Sequence, residues 1–237
     1  QGEYKPSCGL LHVAPGDFHG HVAGLKWEPG FDPKTFTTEQ AWQRYKGPAV
    51  VFPHGPMGVS GGEIIWDTTG GKFGPFAGQV FAGDYTKLVI RSVLEKVAGT
   101  WQGVCFPFLG RNETAPYASG EKLLAGVMRS AFAPDGSLYL GATSGCGAGA
   151  YGIQRVVFDG QVSPEVRDVK ITDRGFRLTF TRAMSAATLA AAANFEVNRF
   201  RYYYHHKYGS PWVDEARIAV SAVQPAPDGL DWICVSP

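Results

Sequence analysis

Apolar residues between Gly61 and Phe108 come in short runs of period two, broken by turn residues instead of continuing at helical spacing. Strands are expected near Glu63–Asp67, Gln79–Gly83, Lys87–Leu94 and Gly99–Phe106, with turns at Asp67–Gly71 and Ala98-Gly99. In the third strand Leu88, Ile90 and Leu94 share one face, and Lys87, Val89, Arg91 and Val93 share the other. Apolar residues on both faces predict a strand covered on both sides. A second, partial copy follows: Val127–Ala133, a Pro134-Asp135-Gly136 turn, a return through Ser137–Gly141, and a strand at Ile153–Phe158 after a glycine-rich loop. Ahead of the repeat, Leu10–Val13 and Ala23–Trp27 read as short strands. Thr37–Tyr45 reads as a helix that Thr38 can cap, with Ala41, Trp42 and Tyr45 on one face and Gly47-Pro48 ending it.

Four antiparallel strands in succession, joined by tight turns, make a propeller blade, a unit that needs neighbours on both faces. The chain holds two to three such units, too few to close a ring, and an open ring exposes raw sheet edges. From about Gln161 the pattern changes to shorter strands at Val166–Ile171, Phe176–Phe180, Phe195–Val197, Arg217–Val223 and Trp232–Val235, with an alanine-rich helical turn among them. The expected fold is all-β: a partial propeller over residues 1–160, then an Ig-like β-sandwich over 161–237. The last strand runs almost to Pro237, so the sandwich is expected to be cut short as the ring is.

A hydrophobic content of 44% supports a packed core, and 31 glycines, 16 prolines and 13% aromatics suit a turn-rich β chain. The net charge of +1, without a basic run, gives no electrostatic footprint for nucleic acid. No apolar stretch approaches the roughly 18 residues of a membrane span. Cys8, Cys105, Cys146 and Cys234 are widely spaced, which excludes CxxC metal, redox and haem-attachment motifs and leaves buried thiols or one or two disulfides. Asn112-Glu113-Thr114 is a glycosylation sequon, and the chain opens at Gln1, which points to processing or truncation.

Candidate chemistry is sparse. His19 and His21 flank a glycine and on a strand would share a face, as a metal pair does; the alternative is two loop histidines bonded to a neighbouring blade. Asp84 suits an Asx-type turn bond. The strip containing Tyr202, Tyr203, Tyr204 and Tyr208 suits stacking on sugar rings or an interface between the two parts. The glycine-rich run GATSGCGAGAYG lacks the helix and lysine of a P-loop, and no serine-hydrolase, paired-carboxylate or zincin motif is present.

The segments WDTTGGKFGPFAGQVFAGDYT, RSVLEKVAGTWQGVCFPF and RSAFAPDGSLYLG, followed by VRDVKITDRGFRLTFTRAMSAATLAAAANFEV, resemble the glucose/sorbosone dehydrogenase-like propeller proteins. The similarity is to the large secreted forms of planctomycetes and verrucomicrobia that often carry a cytochrome c module, and it covers nearly the whole chain. It implies a six-bladed propeller outside the cytoplasm, and it implies PQQ and calcium as cofactors; no haem motif occurs in this chain. On that resemblance His54 in VVFPHGPMG is the candidate base, since a neutral imidazole takes a hydroxyl proton as hydride leaves; the alternative is a turn histidine held between Pro53 and Gly55 and bonded to a nearby carbonyl. Arg91 and Arg129 are candidates to grip the quinone carboxylates, against a structural role in bonding to carbonyls. Two functions follow. One is a binding or assembly scaffold completed by further blades, from the same precursor or a partner chain. The other is a PQQ-dependent sugar dehydrogenase.

Overall fold

The computed structural model describes residues 8–20, 22–32, 34–35, 37–86, 88–110, 123–124, 126–143, 151–202, 211–226 and 231–235. The fold is all-β, built of several small antiparallel sheets, none of them closed. A two-stranded ribbon, β1 (Cys8–Leu10) with β2 (Val50–Phe52), precedes a four-stranded meander of β3 (Gly61–Trp66), β4 (Val80–Asp84), β5 (Leu88–Val97) and β6 (Thr100–Gly110). A three-stranded meander follows: β7 (Val127–Phe132), β8 (Leu138–Ala142) and β9 (Gly152–Val156). The C-terminal part holds β10 (Val166–Thr172), β11 (Gly175–Phe180), β14 (Ala222–Pro225) and β15 (Asp231–Val235) in the order β10-β11-β15-β14. A separate hairpin pairs β12 (Val197–Tyr202) with β13 (Trp212–Ile218).

The meander strands lie where the period-two pattern predicts them. β5 and β6 extend further, meeting at Ala98 and Gly99, whose φ values of 47° and 84° make the hairpin turn that matches strand twist. The two faces of β5 divide as read. Leu88, Ile90 and Leu94 join Leu10, Val50, Phe52, Met57, Val80 and Ala82 in one core, under the β1–β2 ribbon. Val89 joins Phe73, Phe76, Phe81, Val127, Leu138 and Leu140 in a second core, beneath β7 and β8. Burying each such side chain contributes about 1.5–3 kcal/mol, so a sheet covered on both faces draws its stability from both neighbours.

Close approach of the second meander depends on missing side chains. A Cβ on Gly83 would lie 2.2 Å from the Val127 carbonyl oxygen, and one on Gly62 2.7 Å from the same atom. Within the second core Phe73 meets Phe81 and Phe132 edge-on, with centroids 5.8 and 5.2 Å apart, and Phe81 meets Phe108 at 4.9 Å.

Several local expectations change: the strand read at Leu10–Val13 lies at Cys8–Leu10, and the one read at Arg217–Val223 is divided between β13 and β14. Val22–Trp27 is a 3-10 helix, where a strand is predicted. Among the described side chains there, Leu25 is fully buried while Lys26 and Trp27 are exposed, and the segment closes on itself through Glu28 N–H to Leu25 O at 2.9 Å. Helix α1 (Thr38–Arg44) is capped by Thr37 in place of Thr38. Gln40 N–H donates to Thr37 Oγ1 and Gln40 Oε1 accepts from Thr37 N–H, a capping box. The strand expected at Phe195 begins at Val197, after a short 3-10 turn over Ala192–Asn194.

The β7–β8 turn holds a strongly depressed surface carboxyl. Asp135 accepts hydrogen bonds from Ser137 Oγ (2.6 Å) and Ser137 N–H (2.9 Å), and pairs with Arg155 at 2.6 Å. These bonds, those of Ser137 first, hold its carboxyl down to about 2 from an ordinary 3.8. A depressed folded-state pKa means that the stabilisation is complete above pH 3.8 and is lost as pH falls through about 2. The parent's urea midpoint is therefore expected to drop more steeply over that acid window than that of Asp135→Asn. Parallel acid profiles for the two proteins would overturn this.

Candidate functional site

A buried polar centre and an adjoining cleft lie where the four-stranded sheet meets β10. Arg91 projects from β5 on the second-core face, in register with Phe81 on β4 and Phe106 on β6, and is fully buried. Its guanidinium is sandwiched between Phe76 and Phe106, 4.5 and 4.4 Å from their ring centroids. One terminal nitrogen donates to Gln79 Oε1 (2.7 Å) and the Arg167 carbonyl (2.8 Å). The other donates to the Val166 carbonyl (2.7 Å) and Glu165 Oε2 (3.3 Å). Gln79 adds its own bond to the Arg167 carbonyl at 3.2 Å. One side chain thus ties the first residues of the C-terminal sheet to the meander.

The electrostatics follow from depth. Burial lowers Arg91 to about 10, against the upward pull of Glu165 and Asp168. Burial also raises Glu165 above 4.5, against the downward pull of Arg91. Removal from water outweighs mutual attraction for both partners, for Arg91 because it is fully buried and for Glu165 although its side chain keeps 36% exposure. The raised carboxyl stabilises the fold fully below pH 4.5, and that contribution fades as pH rises through its elevated value.

Beside this pair opens a cleft of about 420 Å³. Its lining mixes apolar Phe73, Phe76, Phe108, Leu109, Leu123, Val156 and Phe158 with polar Gln154, Arg155, Asp159, Gln161, Ser163 and Glu165. An occupant of such a cleft meets both kinds of surface.

The other sequence candidates are scattered. His54 is half-buried in a turn closed by Met57 N–H to Pro53 O and Gly55 N–H to Gly58 O, each 2.9 Å. Arg129 is exposed and donates to the Met128 carbonyl. His19 holds the Lys46 carbonyl through Nδ1 at 2.7 Å, and its Nε2 lies 3.5 Å from Asp17. His21 lies outside the described residues. Among those described, no three His, Cys, Asp or Glu side chains come together as a metal site. Tyr202 accepts a bond from Trp212 Nε1 at 2.8 Å beside a stacked Phe200–Trp212 pair; Tyr203, Tyr204 and Tyr208 lie outside the described residues. Cys8 Sγ donates to the Val59 carbonyl at 3.5 Å and accepts from Gly61 N–H at 3.4 Å, and Cys105 is a thiol pushed up to about 12 by burial.

Two residues carry more than the sequence reading gave them. Glu165, in the connection before β10, completes the Arg91 clamp. Asp84, fully buried, accepts bonds from Val59, Ser60 and Thr86 N–H and from the Thr86 hydroxyl, so it holds the entry loop as well as its own turn. A carboxylate at a strand end, just after Gly83 and two residues before Thr86, is the signal that could have flagged it.

No family model, curated protein or solved structure matches this chain.

Proposed function

We propose that this chain is a sector of an extracytoplasmic, sugar-dehydrogenase-like β-propeller that serves as a binding and assembly scaffold, with further blades from the same precursor or a partner chain completing it. The observation that carries this reading is the unequal covering of the sheets. The central meander is buried on both faces. The next one is buried on one, and its outward face presents Arg129, Ala131, Tyr139, Ile153 and Arg155 to solvent. On the other side Ile64 and Trp66 of β3 stay about half exposed beyond the ribbon. Stacked sheets with uncovered outer faces are what a sector of a ring leaves for its neighbours.

The resemblance to the dehydrogenase-like proteins agrees with a meander of this kind. The fork of Arg91 is spent on the chain's own carbonyls and carboxylate, so Arg91 does not fit as a quinone clamp. That favours a scaffold over catalysis for this part. The native protein, purified with whatever accompanies it, is expected to have a mass above the 25.6 kDa of the chain. A native monomer of 25.6 kDa that unfolds in one cooperative step would overturn the reading.

A further inference from the structure

We propose that the outward face of the second meander, centred on Tyr139 and Gly141, seats a further β-meander that belongs to a partner chain. The proposal rests on the scaffold reading and names where, and by what, the stack continues. The two meanders share one register. In the first, Phe81 stands opposite Arg91 and Gly83 opposite Val89; in the second, Tyr139 stands opposite Arg155 and Gly141 opposite Ile153. Each first strand also slips register at its start, between Gly61 and Ile64 and between Val127 and Arg129. The face that holds Phe81 and Gly83 is the one that seats the second meander. Phe81 and Val89 enter the shared core, and a Cβ on Gly83 would lie 2.2 Å from the Val127 carbonyl oxygen. The matching face of the second meander is open. Tyr139 is 39% and Ile153 77% exposed, and a Cβ on Gly141 would meet, among the described residues, only Arg129 of its own sheet. Neither Gly83 nor Gly141 has a positive φ, so both leave room above the sheet instead of bending it.

The occupied face shows what the open one takes: a meander whose first strand lays a carbonyl on the glycine and whose apolar side covers the aromatic ring. A second copy of this chain does not supply it. The sides it would offer are Val80 and Ala82 in the first meander and Leu138 and Leu140 in the second, and both pairs are already buried in the two cores. The stretches on either side of the meanders also lead elsewhere. Val50 and Phe52 of the ribbon lie over the first meander, and the Val166 and Arg167 carbonyls are held there by Arg91. One position sets the partner's chemistry. At the existing interface Glu63, just before the Ile64–Ala82 pair, accepts the Ser130 N–H at 2.9 Å. Arg129, just before the corresponding Ser130–Leu140 pair, carries donors in its place. The partner therefore brings an acceptor to that point, a carbonyl or a carboxylate.

The test oxidises exposed side chains with hydroxyl radicals, in the native protein purified with the chains that accompany it and in the full chain produced alone. Tyr139 and Ile153 are expected to react several-fold more slowly in the native protein, while Trp27, 81% exposed in the N-terminal 3-10 helix, reacts alike in both. A photoreactive benzophenone side chain placed at position 139 should cross-link to a strand segment of a different polypeptide. Tyr139→Lys and Ile153→Lys should each lower the share of chain recovered in the assembly on the order of tenfold, with the unfolding midpoint of the chain alone unchanged. Ile153 is the more exposed of the two, so its variant keeps the test valid if the Tyr139 variant does not fold. Equal oxidation in the two samples would overturn the proposal. So would a cross-link to this same sequence, which marks a second copy, to a segment covalently joined to this chain, or to no polypeptide at all. The native mass separates this from the scaffold reading. An assembly with extra chains and an unprotected Tyr139 sinks only the seat, whereas a lone native monomer sinks the scaffold reading as well.

Discussion

Arg91→Ala is expected to destabilise the chain by about 3–5 kcal/mol, because it takes hydrogen bonds from several acceptors at about 1–3 kcal/mol each and empties a fully buried site. Set against a total of about 5–15 kcal/mol for a native domain, that loss leaves a marginal fold or none. Four acceptors lose an Arg91 bond at once: the Val166 and Arg167 carbonyls, Gln79 Oε1 and Glu165, with the Arg167 carbonyl keeping its bond from Gln79. Two phenylalanine faces also lose the cation between them. Lysine is a poor substitute, because a single ammonium does not reproduce a planar fork serving acceptors on two sides. Arg91→Lys should therefore fall between the parent and Arg91→Ala. Glu165→Gln should cost far less, since that side chain is 36% exposed and water screens what it loses. Denaturant unfolding of the three variants checks the order, and an Arg91→Ala protein within about 1 kcal/mol of the parent would overturn the clamp.

Asp84→Asn is the second substitution expected to cost several kcal/mol, although it changes little in shape. Both carboxylate oxygens face only donors: Val59 and Thr86 toward Oδ1, Val59 and Ser60 toward Oδ2. An asparagine must turn its own NH₂ toward one of these sets, leaving buried N–H groups unpaired at about 1–3 kcal/mol each. Asp84→Asn should thus come close to Asp84→Ala in stability. Gly58→Ala probes the same centre from outside. Its Cβ would lie 2.5 Å from Asp84 Oδ2, at a φ of 132° that disfavours any side chain. Thermal melts of the three variants should show similar large losses, and an Asp84→Asn protein melting with the parent would refute the donor-only account.

The strands were legible because their chemistry is local. Leu88, Val89 and Ile90 announce a two-faced strand from adjacent positions, and Pro134-Asp135-Gly136 announces its turn. Arg91 among β-branched neighbours shows that a charge lies buried there and needs partners, but nothing nearby says which. Apart from Gln79, just before β4, they sit at 165–167, at the entry to another sheet, and only the tertiary path of the chain brings them together. The cleft was illegible for the same reason, since Phe73, Leu123 and Phe158 come from three separate elements. Val22–Trp27 failed for the opposite reason: its apolar spacing is strand-like, but the segment bonds to itself.

The order β10-β11-β15-β14 also sets a timetable. β15 is the last of these strands to be made, yet it lies between β11 and β14 and pairs with both. Until Asp231–Val235 arrive, β11 and β14 have no ladder to each other, so the sheet waits for its final residues. The meanders, joined by neighbours in sequence, have no such delay. During synthesis the N-terminal part is therefore expected to pack first, with Arg91 in place to receive the Val166 and Arg167 carbonyls, and the C-terminal sheet closes onto a surface that already exists.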